Sequence, residues 1–146
     1  MPDETPTTSV PSWDDYFLGI ATAVAARAKC TRRRVGAVLT IDHRIIATGY
    51  NGAAPGEPDC LEGACPRGRL GYDAVPGLGD YDRPGTEGFC IAIHAEVNAL
   101  LFATRDTKGA TAYITDPPCP GCRKALAAAG IVRAVWPGGS HDRPGL

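Results

Sequence analysis

Residues 111–136 read TAYITDPPCPGCRKALAAAGIVRAVW, and this stretch decides the architecture. Thr111 to Thr115 is a short run of β-branched and aromatic residues, the composition of a strand. Pro120 suits the first turn of a helix, where its missing N–H is not needed. The alanine-rich segment to Ala129 continues that helix until Gly130 ends it. Ile131 to Trp136 is a second apolar strand. Strands alternating with a helix in this way imply parallel pairing, with helices on the faces of the sheet.

Upstream, His94 to Thr104 (HAEVNALLFAT) reads as a helix with Val97, Leu100, Leu101 and Thr104 on one side. Residues 51–88 are crowded with glycine and proline and keep no periodicity. They are expected to form a long loop, a feature that calls for a function or for something that pins it. Cys60 and Cys65 lie within it. Val35 to Ile41 and Arg44 to Tyr50 read as two strands of a hairpin turning at Asp42 and His43. Trp13, Tyr16, Phe17, Ile20 and Val24 recur at helical spacing. Ser12 is placed to cap that helix, Asp14 and Asp15 sit in its first turn, and its end is expected near Cys30. The order is helix, hairpin, long loop, helix, strand, helix, strand, an α/β domain without internal repeats.

A chain of 146 residues with 44% hydrophobic content fits one domain with a real core, here residues 13–146. Met1 to Ser12 are polar and proline-containing and lack the features of a secretory signal, so they read as a flexible tail and the protein as cytoplasmic. No stretch is long and apolar enough to span a bilayer. The formal net charge of -1 argues against a protein that coats nucleic acid, since phosphate binding leaves a basic footprint. Six cysteines, at 30, 60, 65, 90, 119 and 122, would suggest disulfides in an exported protein; without an export signal, metal binding is the better reading.

Two short motifs carry the chemistry, His94-Ala95-Glu96 and Pro118-Cys119-Pro120-Gly121-Cys122, each opening a helix. Two thiolates and an imidazole are three good zinc ligands, and a site with three protein ligands leaves a fourth position for water. Both cysteines at a helix start can reach one ion, and the dipole there favours thiolate over thiol. Zinc held by two thiolates and a neutral histidine is formally neutral and acidifies water less than one held by three neutral ligands. A nearby carboxylate is therefore wanted to take the water's proton, then to deliver protons to a ring nitrogen and to leaving ammonia. Glu96, two residues from His94, is suited to that task. The bland alternative is a closed structural zinc with Glu96 merely solvated. The ordered pair H-x-E and P-C-x-x-C is the signature of zinc deaminases.

With Val35-Gly36-Ala37-Val38, Thr48-Gly49-Tyr50-Asn51-Gly52, His94-Ala95-Glu96-Val97-Asn98-Ala99-Leu100 and Pro118 to Cys122 in hand, the chain resembles the cytidine deaminase superfamily, and most closely its deoxycytidylate (dCMP) deaminase branch. The resemblance covers about Tyr16 to Trp136. It implies a three-layer α/β/α fold with a mixed sheet, a catalytic zinc, hydrolysis of dCMP to dUMP and ammonia, and assembly into homo-oligomers. It implies that Asn51 contacts substrate beside ring and sugar, although an asparagine there also suits a turn before Gly52. It directs the Ala95 N–H to the pyrimidine carbonyl. Some branch members hold a second, structural zinc. Cys30 and Cys60 fall where such ligands fall and Cys65 and Cys90 would complete a four-thiolate site, the alternative being unliganded thiols. Arg32, Arg33 and Arg34 are either a solvated run or the source of a phosphate contact, Arg34 foremost. Phe102 and Arg105 fall where the branch has a subunit interface and an effector pocket.

The chain also departs from the family. Asp116 and Pro117 stand where an apolar residue is usual before the x-Pro-Cys, and an acid at a pocket mouth would repel a phosphate. The family's last helix and strand are missing after Trp136. That leaves four strands and an exposed edge, for the tail Pro137 to Leu146 or a neighbouring subunit to cover. These departures keep open another small substrate: a free nucleoside, a purine base or a specialised metabolite. Editing of a base within RNA or DNA needs a groove for flanking phosphates, against which the charge and the lack of interleaved aromatics speak.

Overall fold

A computed structural model of the chain describes residues 8–71 and 81–142. The sequence-based expectations for residues 1–7 of the tail, 72–80 of the loop and 143–146 of the end lie outside them.

Helix α1 (Trp13–Ala25) precedes strands β1 (Gly36–Ile41) and β2 (Arg44–Tyr50). The loop then carries two 3-10 turns, Cys60–Glu62 and Arg67–Arg69. Helix α2 (Ala95–Leu101), strand β3 (Thr111–Ile114), helix α3 (Pro120–Ala128), strand β4 (Arg133–Trp136) and strand β5 (Gly139–Asp142) follow. The sheet order is β2-β1-β3-β4-β5. Only β3 and β4 run parallel, joined through α3 as the 111–136 pattern predicts; the other neighbours are antiparallel, so the sheet is mixed.

Strand alternation sorts the core into two layers. Ala37, Leu39, Ala112, Ile114 and Ala134 face α2 and α3, where they meet Ala95, Ala99 and Leu126. Val38, Tyr113 and Val135 face the other way, onto Phe17 and Ala21 of α1. Covered on both faces, the sheet is the middle of three layers, and β1 is accordingly buried from Gly36 to Thr40.

The helices bury narrower faces than their bulky residues suggest. On α1 the core side is Phe17, Ala21 and Ala25, while Trp13 and Tyr16 are about half exposed. On α2 it is Ala95, Glu96 and Ala99, while Leu101 is 63% exposed. The cause is close approach: a Cβ at Gly36 would run into the Ala21 carbonyl, and one at Gly49 into the backbone of Ala95 and Ala99. Glycine on the strand and alanine on the helix let the backbones meet, one helix on each side of the sheet. Gly49→Ala is expected to cost about 2–3 kcal/mol by overpacking, read as a lower denaturant midpoint at unchanged slope.

Both helices also end earlier than expected. α1 stops at Ala25 rather than near Cys30. Its last turn tightens with Ala26 and Arg27 bonding Ala23 and Val24, and Lys29 N–H has already turned to the carbonyl of Asn51. α2 stops at Leu101 rather than Thr104, whose N–H and hydroxyl both bond Ile46 O on β2.

The expectation of four strands is corrected to five. The tail itself covers the β4 edge, through a hairpin in which Pro137 and Gly138 (φ 83°) make the turn and Trp136 pairs with Gly139. A fifth strand is therefore present, though among the described residues no helix follows α3. Asp42 and His43 turn the first hairpin with φ of 51° and 57°, the primed geometry that matches strand twist. Asp14 ties α1 to the sheet. Both its oxygens meet Arg133 on β4 at 2.7 and 2.8 Å, and it accepts the Tyr113 hydroxyl at 3.0 Å. Arg133 accordingly holds the Asp14 carboxyl below its ordinary range.

Candidate active site

The site forms where the sheet hands its chain to two helix starts. His94 caps the N-terminus of α2 and Cys119 that of α3, both in extended backbone conformation just before the first turn. β3 feeds the second cap directly. The first is aligned by Ile93, which pairs with Gly52 through two backbone bonds of 2.7 and 3.2 Å. Asn98 completes the alignment by donating to Tyr50 O at 2.8 Å, tying α2 to the end of β2.

This brings one donor atom each of His94, Cys119 and Cys122 within 4.8 Å of one another. Nδ1 of His94 lies 3.1 Å from Cys122 Sγ and 3.5 Å from Cys119 Sγ. Cys119 Sγ accepts the N–H of Cys122 at 3.4 Å, the helix-start stabilisation expected for a thiolate. Cys122 is 2% exposed, and burial first, then Glu96 and Cys119, push its thiol's proton affinity up. Converging anionic donors that suppress each other's ionisation are what a divalent cation relieves, so the residues fit zinc.

Glu96 is 4% exposed, which overturns the picture of a solvated carboxylate. Burial raises its pKa, opposed by hydrogen bonding from its own backbone N–H and from Cys122, and by the charge of His94. It thus touches the ligand set from inside the protein, next to Ala95, which is fully buried at the helix start.

Asn51 is 7% exposed and largely spent on its own backbone: its Oδ1 accepts Val35 N–H and its Nδ2 donates to Arg33 O, both at 2.9 Å. It fixes the entry to β1, leaving one amide hydrogen. That clasp orients the arginine run. The Arg33 guanidinium meets Asp116 at 2.8 Å, and Asp116 in turn interacts electrostatically with Glu96. Asp116 is therefore a paired acid, not a bare one. Arg34 is exposed, as are Phe102 and Arg105 past the end of α2. Two surface grooves, of about 640 and 590 Å³, border Trp13 and His43 at the other end of β1 and contain none of these site residues.

The remaining cysteines gather beside the site. Cys65 lies near enough to Cys60 and Cys90 to interact with both, as Cys30 does with Cys60 and Cys90, and the Cys65 thiol donates to Phe89 O at 3.8 Å. Cys30 Sγ accepts the N–H groups of Arg32 and Arg33 at 3.4 and 3.5 Å, Cys60 Sγ accepts that of Thr31 at 3.3 Å, and the backbone N–H groups of Gly68, Ile91 and Ala92 favour the thiolates of Cys65 and Cys90. A side chain at Gly68 would collide with Cys60 Sγ, so glycine is what admits the cluster. It is looser than the His94 set, which is the group whose donors all lie within 4.8 Å among the described residues. Tyr81, not singled out by the sequence, lies beside the ligand set: its ring centroid is 5.7 Å from that of His94 and its hydroxyl is near enough to Cys119 to interact with it.

A three-ligand nitrogen–sulfur set with a buried carboxylate beside it is the equipment of a hydrolytic zinc deaminase. The chain belongs to the cytidine and deoxycytidylate deaminase family, whose zinc-binding region model matches residues 11–137. It is 52% identical over 130 residues to the deoxycytidylate deaminase of Mycobacterium phage D29, covering 88% of this chain and 97% of that one. It is 41% identical to the deoxycytidylate deaminase of Saccharomyces cerevisiae, over 86% of this chain but 38% of the yeast protein. The dCMP deaminase of cyanophage S-TIM5, solved in complex with dCMP and dUMP, shares the fold with a TM-score of 0.64 at 23% identity, over 88% of this chain and 82% of that one.

Proposed function

We propose that this enzyme hydrolyses dCMP to dUMP and ammonia, with zinc held by His94, Cys119 and Cys122 and protons moved by Glu96. The observation that carries the reading is the buried Glu96 touching Cys122 inside that ligand set; the phage D29 relative, matched over nearly its whole length, supports dCMP as substrate. Zinc, when bound, supplies a Lewis acid that makes water a nucleophile near neutral pH. Water adds to the ring carbon bearing the amino group, and Glu96 takes its proton. Glu96 gives that proton to the adjacent ring nitrogen, then takes the remaining hydroxyl proton of the adduct and passes it to the amino group, which leaves as ammonia as the carbon–nitrogen bond breaks and the carbonyl forms. Burial raises the proton affinity of the Glu96 carboxyl, which favours its taking a proton from water. The Ala95 N–H faces the pyrimidine carbonyl, and the spare amide hydrogen of Asn51 is offered to the nucleoside.

Arg33 reads the phosphate, exchanging Asp116 for it when substrate enters. A second, structural zinc occupies the Cys30, Cys60, Cys65 and Cys90 cluster, whose N–H donors suit four thiolates. We assign the enzyme to the cytoplasm, which suits six free thiols, and to a homo-oligomer that covers the exposed Leu101 and Phe102. No helix among the described residues is long and apolar enough to cross a membrane.

The test is ammonia release by zinc-loaded protein offered dCMP, deoxycytidine, CMP, cytidine, cytosine, guanine and adenosine side by side. dCMP should lead. Arg33→Gln should raise KM for dCMP about tenfold, the worth of a charge-assisted hydrogen bond, while changing deoxycytidine turnover little. Turnover confined to unphosphorylated substrates would overturn the nucleotide reading.

A further inference from the structure

The long loop does more than cross the site: its return arm is tied at several points and delivers one aromatic side chain to the metal ligands. Arg67 N–H bonds Phe89 O at 2.9 Å, Cys90 N–H bonds Tyr81 O at 2.9 Å, and Ile93 pairs with Gly52. Cys90 itself belongs to the cysteine cluster, through Cys65. Tyr81 is therefore held by backbone to a residue that the cluster holds by side chain.

From that position Tyr81 makes two contacts with the ligand set. Its ring lies against the His94 imidazole, centroids 5.7 Å apart at 32°. Its hydroxyl lies near enough to the Cys119 thiol to interact with it. A phenol beside a thiolate donates to it, because the thiolate has no hydrogen to give. Such a donor withdraws electron density from the sulfur, and the ring restricts the rotation of the histidine.

We infer that Tyr81 is a positioning residue of the zinc centre, its hydroxyl donating to Cys119 and its ring fixing His94, and that the cysteine cluster holds it there through Cys90. This rests on the metal assignment above, but not on the identity of the substrate.

The test uses the full chain with cobalt(II) in the catalytic site and no substrate. Tyr81→Phe deletes the donor and keeps the ring. Without that donor the Cys119 lone pairs rise in energy, so the sulfur-to-cobalt charge-transfer band should move to longer wavelength, at an unchanged melting temperature. Tyr81→Ala, which also loses the ring, should release zinc to a chromophoric chelator about tenfold faster than wild type, the usual scale for a lost outer partner of a metal ligand. A Tyr81→Phe band superimposed on wild type overturns the inference. A wild type silent on dCMP whose band still shifts in Tyr81→Phe defeats the substrate reading and leaves this one standing.

Discussion

Glu96→Gln is expected to lower kcat on dCMP about a thousandfold, within the range for removal of a general acid–base, while zinc content stays at the wild-type level. The substitution isolates proton transfer. Glutamine has nearly the same shape and keeps an acceptor and a donor, so the 4% exposed position remains filled and the contact with Cys122 remains available. What it cannot do is accept the water's proton and give it back. Because the native carboxyl is buried and its pKa raised by that burial, an uncharged replacement removes a desolvation cost, and folding stability should not fall. Zinc by elemental analysis, thermal melting and steady-state kinetics on one preparation decide the matter. A variant within tenfold of wild type would mean that another group moves the proton; among the described residues the other buried carboxylate is Asp59, which caps a loop turn and pairs with Lys29.

What the sequence made legible follows from how far each contact reaches. The 111–136 unit was readable because strand, turn proline, helix and strand are local signals, and the structure keeps β3 and β4 parallel as they require. The convergence of His94, Cys119 and Cys122, with Glu96 beside them, was readable for a related reason: helix starts fix their spacing within a few residues. β5 was not readable. Gly139–Asp142 is the polar run GSHD, an edge strand with one neighbour and no apolar alternation to announce it. The buried helix faces were misjudged because hydrophobic bulk pointed to Trp13, Tyr16 and Leu101, whereas close contact with Gly36 and Gly49 selects alanine. The pairing of Arg33 with Asp116 and the place of Tyr81 beside His94 escaped for lack of a local signal. The first is set by Asn51, 18 residues on, and the second by a loop that carries no period.

Cys122→Ser should abolish turnover altogether and remove one zinc per chain, because the change attacks binding rather than chemistry. The serine hydroxyl is a harder donor that stays protonated at neutral pH, so it is a poor substitute for thiolate toward zinc. Cys122 is also the residue on which the site converges. Its Sγ lies 3.1 Å from His94 Nδ1, its N–H supports Cys119, and Glu96 leans on it. Losing its thiolate leaves two protein ligands, too few for the tetrahedral site. The contrasting variant is Cys65→Ser in the second cluster. Cys65 is 2% exposed and lies near enough to Cys60 and Cys90 to interact with both, so its loss should also remove one zinc. It should retain the catalytic ion, however, and show itself mainly as a lower melting temperature, since a metal held there would close the loop between α1 and α2. Elemental analysis should therefore find two zinc per wild-type chain and one in each variant, with activity gone only from Cys122→Ser. A wild-type count of one, lost in Cys122→Ser and kept in Cys65→Ser, would leave the four cysteines as free thiols and confine the chemistry of the chain to the His94 site.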